Sequence, residues 1–305
     1  MSLSVRGDSK HYWQCWKIVW CGPMPELPEV EYTRRRLQRA MAGDRISRVI
    51  VRQPKLRYRL PPDFVGRLEG QTVRAVRRRA KYLLVELLSG DRLLMHLGMS
   101  GSFRVMRSGG TDRSGRRYYH DTSRPEVHDH VVLEMSTGTI VVFNDPRRFG
   151  FILLLKADEH TTHKSLARLG PEPLASTFNA ATLARELKRR KTSLKMALSD
   201  QRIVGGLGNI YVVEALHRAR LSPKRAAATL VTKNGTPRAA VFELVQAIRD
   251  VLKEAIRRQY RTGDDNPFRV YDRDGEPCPR RACRGKIRRI IQGGRSTYYC
   301  PVCQR

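Results

Sequence analysis

Four cysteines near the end of the chain have the spacing of a ligand set: Cys278-x4-Cys283 and Cys300-x2-Cys303, with sixteen residues between the pairs. Four thiolates close a tetrahedral zinc site and leave no open position, so one structural Zn2+ is expected and the metal itself performs no chemistry. A disulfide framework would suit a small secreted domain, whereas two close pairs at the end of a long chain read as metal ligands. Lys286, Arg288, Arg289 and Arg295 lie between the pairs and give the hairpin a positive tip. A second reactive grouping stands at residues 24–31, which read MPELPEVE. An α-amino group titrates near 8 and a lysine near 10.4, so a chain beginning at Pro25 would present a secondary amine that is far more often unprotonated. Such an amine can add to a sugar carbon, and ring opening leaves a cationic iminium that acidifies the neighbouring proton. The positive end of a helix starting just beyond it lowers the ammonium pKa further. Glu26, next in the chain, is the natural proton shuttle.

These groups must be held by folded elements in a strongly basic chain. Of 305 residues, 59 are Lys or Arg and 29 are Asp or Glu, a formal charge of +30. That field favours a polyanionic partner, and nucleic acid is the leading one. No stretch approaches the roughly 18 apolar residues of a membrane span. The basic residues come in short clusters inside hydrophobic patterns, so they decorate folded elements rather than form a tail. Pro28, Glu29, Val30 and Glu31 look like a helix start, with Val30, Leu37 and Met41 on one face and Gly43 as the stop. Runs at 46–51, 82–88, 93–97, 131–135, 140–143 and 151–155 have strand length and branched side chains, and hairpin signals stand at 89–91 and 136–139. Residues 107–126 read as a polar, mobile surface loop. Beyond residues 169–173 the period turns helical, first at 191–216 as helix, Gly-rich turn and helix with Asn209 as N-cap, then at 237–258 with Pro237 in the first turn. A strand at 268–271 and the cysteine hairpin close the chain. The expected class is α+β: an N-terminal antiparallel β-sandwich with flanking helices, then a helical domain ending in a zinc-ribbon β-hairpin.

The motifs, taken in order, resemble the formamidopyrimidine-DNA glycosylases. They are MPELPEVE at 24–31, Arg79-Ala80-Lys81-Tyr82-Leu83-Leu84, His96-Leu97-Gly98-Met99-Ser100-Gly101, Asn144-Asp145-Pro146-Arg147-Arg148-Phe149-Gly150, Gly208-Asn209-Ile210-Tyr211 and the terminal cysteines. Each alone is weak, but together they span nearly everything from Met24 to Arg305. The resemblance implies base-excision repair: removal of oxidised purines (formamidopyrimidines and 8-oxoguanine) from duplex DNA, then strand cleavage at the abasic site by β,δ-elimination. It implies Pro25 as nucleophile, Glu26 as general acid, Glu29 as a supporting carboxylate, and Lys81 and Arg295 as groups gripping the DNA around the damaged nucleotide. It makes Met99 and Phe149 wedges that fill the vacated stack, Arg147 the donor to the estranged base, and His96, Asn209 and Tyr211 further DNA contacts, with Asn209 a phosphate ligand in a helix-two-turn-helix. The implied partner is double-stranded DNA with damaged bases or abasic sites, met by a single chain in the cytoplasm, at the nucleoid.

The expected organisation is an extension at 1–23, a catalytic sandwich at 24–157, a linker at 158–175, the helix-two-turn-helix domain at 176–265 and the zinc finger at 266–305. Two departures from the family pattern stand out. Started at Met1, the chain would lock the Pro25 nitrogen in a tertiary amide, so Met24 is expected to be the true initiator and residues 1–23 not native. The connection at 260–267 is short where relatives carry a longer loop over the extruded purine, which makes a shifted lesion preference one alternative. A catalytically silent, zinc-containing DNA-binding protein is the other.

Overall fold

The computed structural model describes residues 25–107, 127–159, 162–258 and 266–305. The extension at 1–23, the loop at 108–126 and residues 260–265 of the short connection lie outside the described residues.

Helix α1 (Leu27–Met41) begins one residue earlier than its sequence signal, with Glu26 as N-cap and Pro28 in the first turn, where a missing N–H costs nothing. Two four-stranded antiparallel sheets follow, numbered along the chain. One has the order β1 (Ile46–Val51), β6 (Asp129–Met135), β7 (Thr139–Asn144), β5 (Ser102–Arg107). The other has the order β2 (Val73–Arg79), β3 (Tyr82–Leu87), β4 (Arg92–His96), β8 (Phe151–Leu155). Their facing sides, with Val30, Leu37 and Met41 of α1, form one core. Strands β2 and β5 have no counterpart among the expected runs. Arginine is frequent in both, yet the buried positions Val73, Ala75 and Val76 of β2 are enough to seat it in the sheet.

A short helix α2 (Phe64–Leu68) follows β1, and α3 (Lys164–Ala167) precedes the helical part. That part comprises α4 (Ala180–Leu187), α5 (Leu194–Ser199), α6 (Asn209–Arg218) and α7 (Ala239–Arg258) around a second core. Helix α7 starts two residues after Pro237, which instead pairs with Val231 in an isolated bridge. Residues 268–271, expected as a strand, form none. The buried Glu214 carboxylate accepts the N–H groups of Arg269, Val270 and Tyr271 at 2.9 Å each, so a side chain replaces the missing strand partner. The hairpin β9 (Arg288–Gln292) and β10 (Arg295–Tyr299) lies between the two cysteine pairs.

Leu27 belongs to the helical core, while the rest of α1 belongs to the sandwich core. The first residues of α1 therefore stand at the junction of the two.

Candidate active site

Glu26 is 2 % exposed at that junction. Its Oε1 accepts the N–H of Ile210 at 3.1 Å, at the start of α6. Its Oε2 is buried with no hydrogen-bond partner among the described residues. Burial pushes the carboxyl pKa above its ordinary value, although Lys81 and the α6 amides pull the other way. Burial thus favours the protonated form of Glu26 more than in an exposed carboxyl, and leaves one oxygen without a partner among the described residues. Glu29 closes a capping box by accepting the Glu26 N–H at 2.9 Å and also takes the Tyr211 hydroxyl at 2.6 Å. Burial raises its pKa to about 7, against the Tyr211 hydrogen bond.

Two glycines allow this closeness. A Cβ on Gly206, at φ +90°, would press into Leu27, and one on Gly208 would collide with the Glu26 carboxyl and the Lys81 ammonium. The Gly-rich turn is buried, and the N–H groups of Gly205, Gly206 and Ile210 go to Pro171, Gln201 and Glu26. Those three amides are internal connectors and form no exposed phosphate cradle.

Lys81 occupies the two-residue turn between β2 and β3, folded inward toward Glu26. Burial lowers its pKa, Glu26 opposes this, and Arg295 adds to the depression. The preceding Ala80 is at φ 52°, a strained conformation for a residue with a side chain. Glu172 over-determines it, accepting from Ala80 N–H and from Arg78 and Arg79. Arg295 is exposed at the start of β10. Asn209 is the first residue of α6, with Gly208 as N-cap, and its Nδ2 donates to the Ser296 carbonyl at 2.9 Å, next to Arg295. Pro25 with Glu26, Lys81, Asn209 and Arg295 therefore come from four separate segments to one place. Tyr211, expected among the DNA contacts, is 1 % exposed and supports Glu29 from inside.

Met99, Phe149 and Arg147, expected at the vacated base stack, form a second locus. Met99 is 38 % and Phe149 46 % exposed, and the Arg147 guanidinium lies 4.8 Å from the Phe149 ring centroid. Asp145, wholly buried, clasps both loops: it accepts from Ser100 Oγ at 2.6 Å and from Gly150 N–H at 2.8 Å. A Cβ on Gly98 would strike the backbone of Phe149 and Gly150, so the loops touch directly. His96 links the two loci. Its Nδ1 accepts the Gly98 N–H at 3.0 Å, its ring stacks on Phe151, and burial, with Lys81 and Arg57 nearby, lowers its pKa to about 4. It is a neutral N–H donor across the physiological range.

The four cysteine sulfurs lie within 4.8 Å of one another, with Cys278–Cys303 at 3.8 Å and Cys283–Cys300 at 3.6 Å. A tetrahedron with Zn–S bonds of about 2.3 Å has edges of about 3.8 Å, so the donor set fits zinc. Both separations are far beyond a disulfide bond.

Sequence reasoning missed Lys195. It is 1 % exposed on α5, its Nζ donates to the Gln292 carbonyl at 3.3 Å, and burial and Arg295 lower its pKa. The available signal was a charge inside the apolar stripe of Leu194, Ala197 and Leu198. The clasping role of Asp145 on Ser100 and the role of Glu172 gave no signal, since those partners are distant in the chain.

Sequence models of three families match the chain: the formamidopyrimidine-DNA glycosylase N-terminal domain over residues 24–152, the formamidopyrimidine-DNA glycosylase H2TH domain over 169–265, and the zinc finger found in FPG and IleRS over 275–305. Formamidopyrimidine-DNA glycosylase of Bradyrhizobium sp. (strain ORS 278) is 54 % identical over 294 residues, covering 92 % of this chain and 100 % of the relative. Among solved structures, Lactococcus lactis formamidopyrimidine-DNA glycosylase bound to DNA containing an AP site superposes with a TM-score of 0.78 at 29 % identity. The same enzyme with FAPY-dG-containing DNA gives 0.78 at 30 %. Both cover 92 % of this chain and 100 % of their own.

Proposed function

Because this chain belongs to the formamidopyrimidine-DNA glycosylase family, we propose that its chemistry is divided between Pro25 as nucleophile and Glu26 as proton donor. The protein is a base-excision repair glycosylase for oxidised purines in duplex DNA, with the abasic-site lyase activity of its family. The Pro25 nitrogen attacks C1′ of the damaged deoxyribose as the base departs. Glu26 delivers its proton to the ring oxygen, which opens the sugar and leaves an iminium between Pro25 and C1′. The iminium acidifies the C2′ proton, whose removal expels the 3′ phosphate; a second elimination releases the 5′ phosphate. Lys81, Arg295 and Asn209 hold the flanking phosphates, and the neutral His96 donates to the backbone nearby. Met99 and Phe149 fill the emptied stack while Arg147 hydrogen-bonds the orphaned base. Zinc cross-links the hairpin that carries Arg295 and takes no part in bond breaking. One chain suffices for all of these roles, acting in the cytoplasm where the DNA is. No helix among the described residues is long and apolar enough to cross a membrane.

The observation that carries this reading is the buried Glu26 carboxyl beside Pro25, with one oxygen unpartnered and its pKa raised. Borohydride trapping tests it. Protein beginning at Pro25 is expected to form a covalent adduct with abasic-site DNA, and the 305-residue chain, whose Pro25 nitrogen is an amide, is expected to form none. Equal trapping by intact, mass-verified Met1 protein would remove Pro25 from the mechanism.

A further inference from the structure

Helix α6 touches the DNA-gripping end of the zinc hairpin at one terminus and the metal site at the other. At its start, Asn209 Nδ2 donates to Ser296 beside Arg295, and Ile210 N–H donates to Glu26. In its last turn, His217 is 1 % exposed, and its Nε2 lies 3.5 Å from Cys278 Sγ. The Arg280 guanidinium reinforces this end by donating to the carbonyls of His217 at 2.7 Å and Arg218 at 3.3 Å.

Only one ring nitrogen of His217 has a partner. Nδ1 is buried with no hydrogen-bond partner among the described residues. A proton on Nδ1 would be a buried donor without an acceptor, whereas a proton on Nε2 faces sulfur; the ring therefore carries it on Nε2. The need for such a donor follows from charge. Four thiolates around one Zn2+ leave a net charge of −2, with Cys278 7 % and Cys300 0 % exposed, and buried negative charge requires N–H groups aimed at it. Backbone amides within the finger supply some, from Arg280 to Cys278 and from Val302 and Cys303 to Cys300. His217 differs from these because it comes from the helical domain.

We propose that His217 is a positioning residue that donates Nε2–H to the zinc-bound thiolate of Cys278, so that the metal site anchors α6 as well as the hairpin. The bond shields the thiolate and ties the finger to the helix that places Asn209. This rests on the four-cysteine zinc site. A buried histidine that only fills space would behave differently on loss of its donor.

The test uses the full chain. Zinc content is measured first; less than one zinc per wild-type chain would overturn the metal site and this inference together. With zinc present, His217→Phe keeps an aromatic ring but removes the donor, and His217→Gln offers an amide N–H in its place. The expected result is zinc transfer to a chromogenic chelator about tenfold faster or more in His217→Phe, the range for outer-shell partners of metal ligands, with His217→Gln between the two. In cobalt-substituted protein the sulfur-to-cobalt charge-transfer band should move to lower energy in His217→Phe, because a thiolate without its donor holds its electrons less tightly. Wild-type protein loaded with 113Cd and labelled with 15N-histidine keeps the question open to disproof should the Phe variant not fold. A scalar coupling between 113Cd and the His217 Nε2 proton is expected. Unchanged zinc transfer and cobalt spectrum in His217→Phe, or a His217 proton found on Nδ1, would overturn the inference and leave the zinc site standing.

Discussion

The two loci of the site are built on opposite plans. At the α1 junction, polar groups are buried and mutually engaged: Glu26 between α6 and Lys81, Glu29 between the Glu26 N–H and the Tyr211 hydroxyl. At the wedge, apolar groups are exposed, and their support lies one layer down in Asp145. The first arrangement fixes its charged groups before DNA arrives, with Glu26 Oε2 left unpartnered, as catalysis by positioned charges requires. The second leaves an exposed apolar surface, which in the proposed reading a vacated base stack would cover. Chemistry should therefore respond to any change inside the junction, and lesion capture to changes at the wedge.

Glu26→Gln breaks the comparison most directly. It keeps the shape and the Ile210 hydrogen bond but cannot deliver a proton, so single-turnover base excision should fall by roughly 10²- to 10⁴-fold. Affinity for DNA with an abasic-site analogue should be nearly unchanged; excision at the parental rate would assign the acid elsewhere. Gly208→Ala comes next. Its methyl group would meet the Glu26 carboxyl and Lys81, and that crowding should cost excision on the order of 10-fold to 100-fold, with overall stability altered much less. Parental excision by a folded Gly208→Ala protein would show that the junction yields.

Phe149→Ala probes the wedge. Loss of one stacking ring, about 1–3 kcal/mol, should slow excision from paired duplex about tenfold. Nicking of a preformed abasic site should change less, because no base remains to be extruded. Equal loss in both assays would merge the two loci into one. The smallest effect concerns Glu29, whose pKa in the folded protein is raised to about 7 from 4.5. Between those values the folded state retains a proton that the unfolded chain has lost, so stability should fall as pH rises through that window. Unfolding free energies from urea titrations should show a decline on the order of 1 kcal/mol, reduced by the residue's partial solvent contact, and Glu29→Gln should remove it. An identical pH profile in the variant would place the titration elsewhere.

Much of the site was legible because its parts are local. The proline-glutamate pair, the cysteine spacing, and the Met99 and Phe149 turns each lie within a few residues, and periodicity was enough for α1 and most strands. The arginine-bearing strands β2 and β5 were not legible by hydrophobic run length, since the sheet asks only for alternating buried positions. Asn209 and Tyr211 were placed on the right helix, but their intramolecular partners, Ser296 and Glu29, were not legible, because a side chain's direction depends on what packs against that helix.

The amino-acid sequence by itself determined the charge, the zinc ligands, the two-part organisation and the residue types able to form and open an iminium, all set by composition and short spacing. Only the tertiary structure decided that Leu27 leaves the core of its own helix for that of the second domain, that Gly206 and Gly208 exist for close approach, and that Glu26, Lys81 and Arg295 share one field. The physical reason is that desolvation and Coulomb interaction depend on distance through space. Glu26 and Ile210, 184 residues apart in the chain and 3.1 Å apart in the fold, have no shared signature that a local pattern could carry.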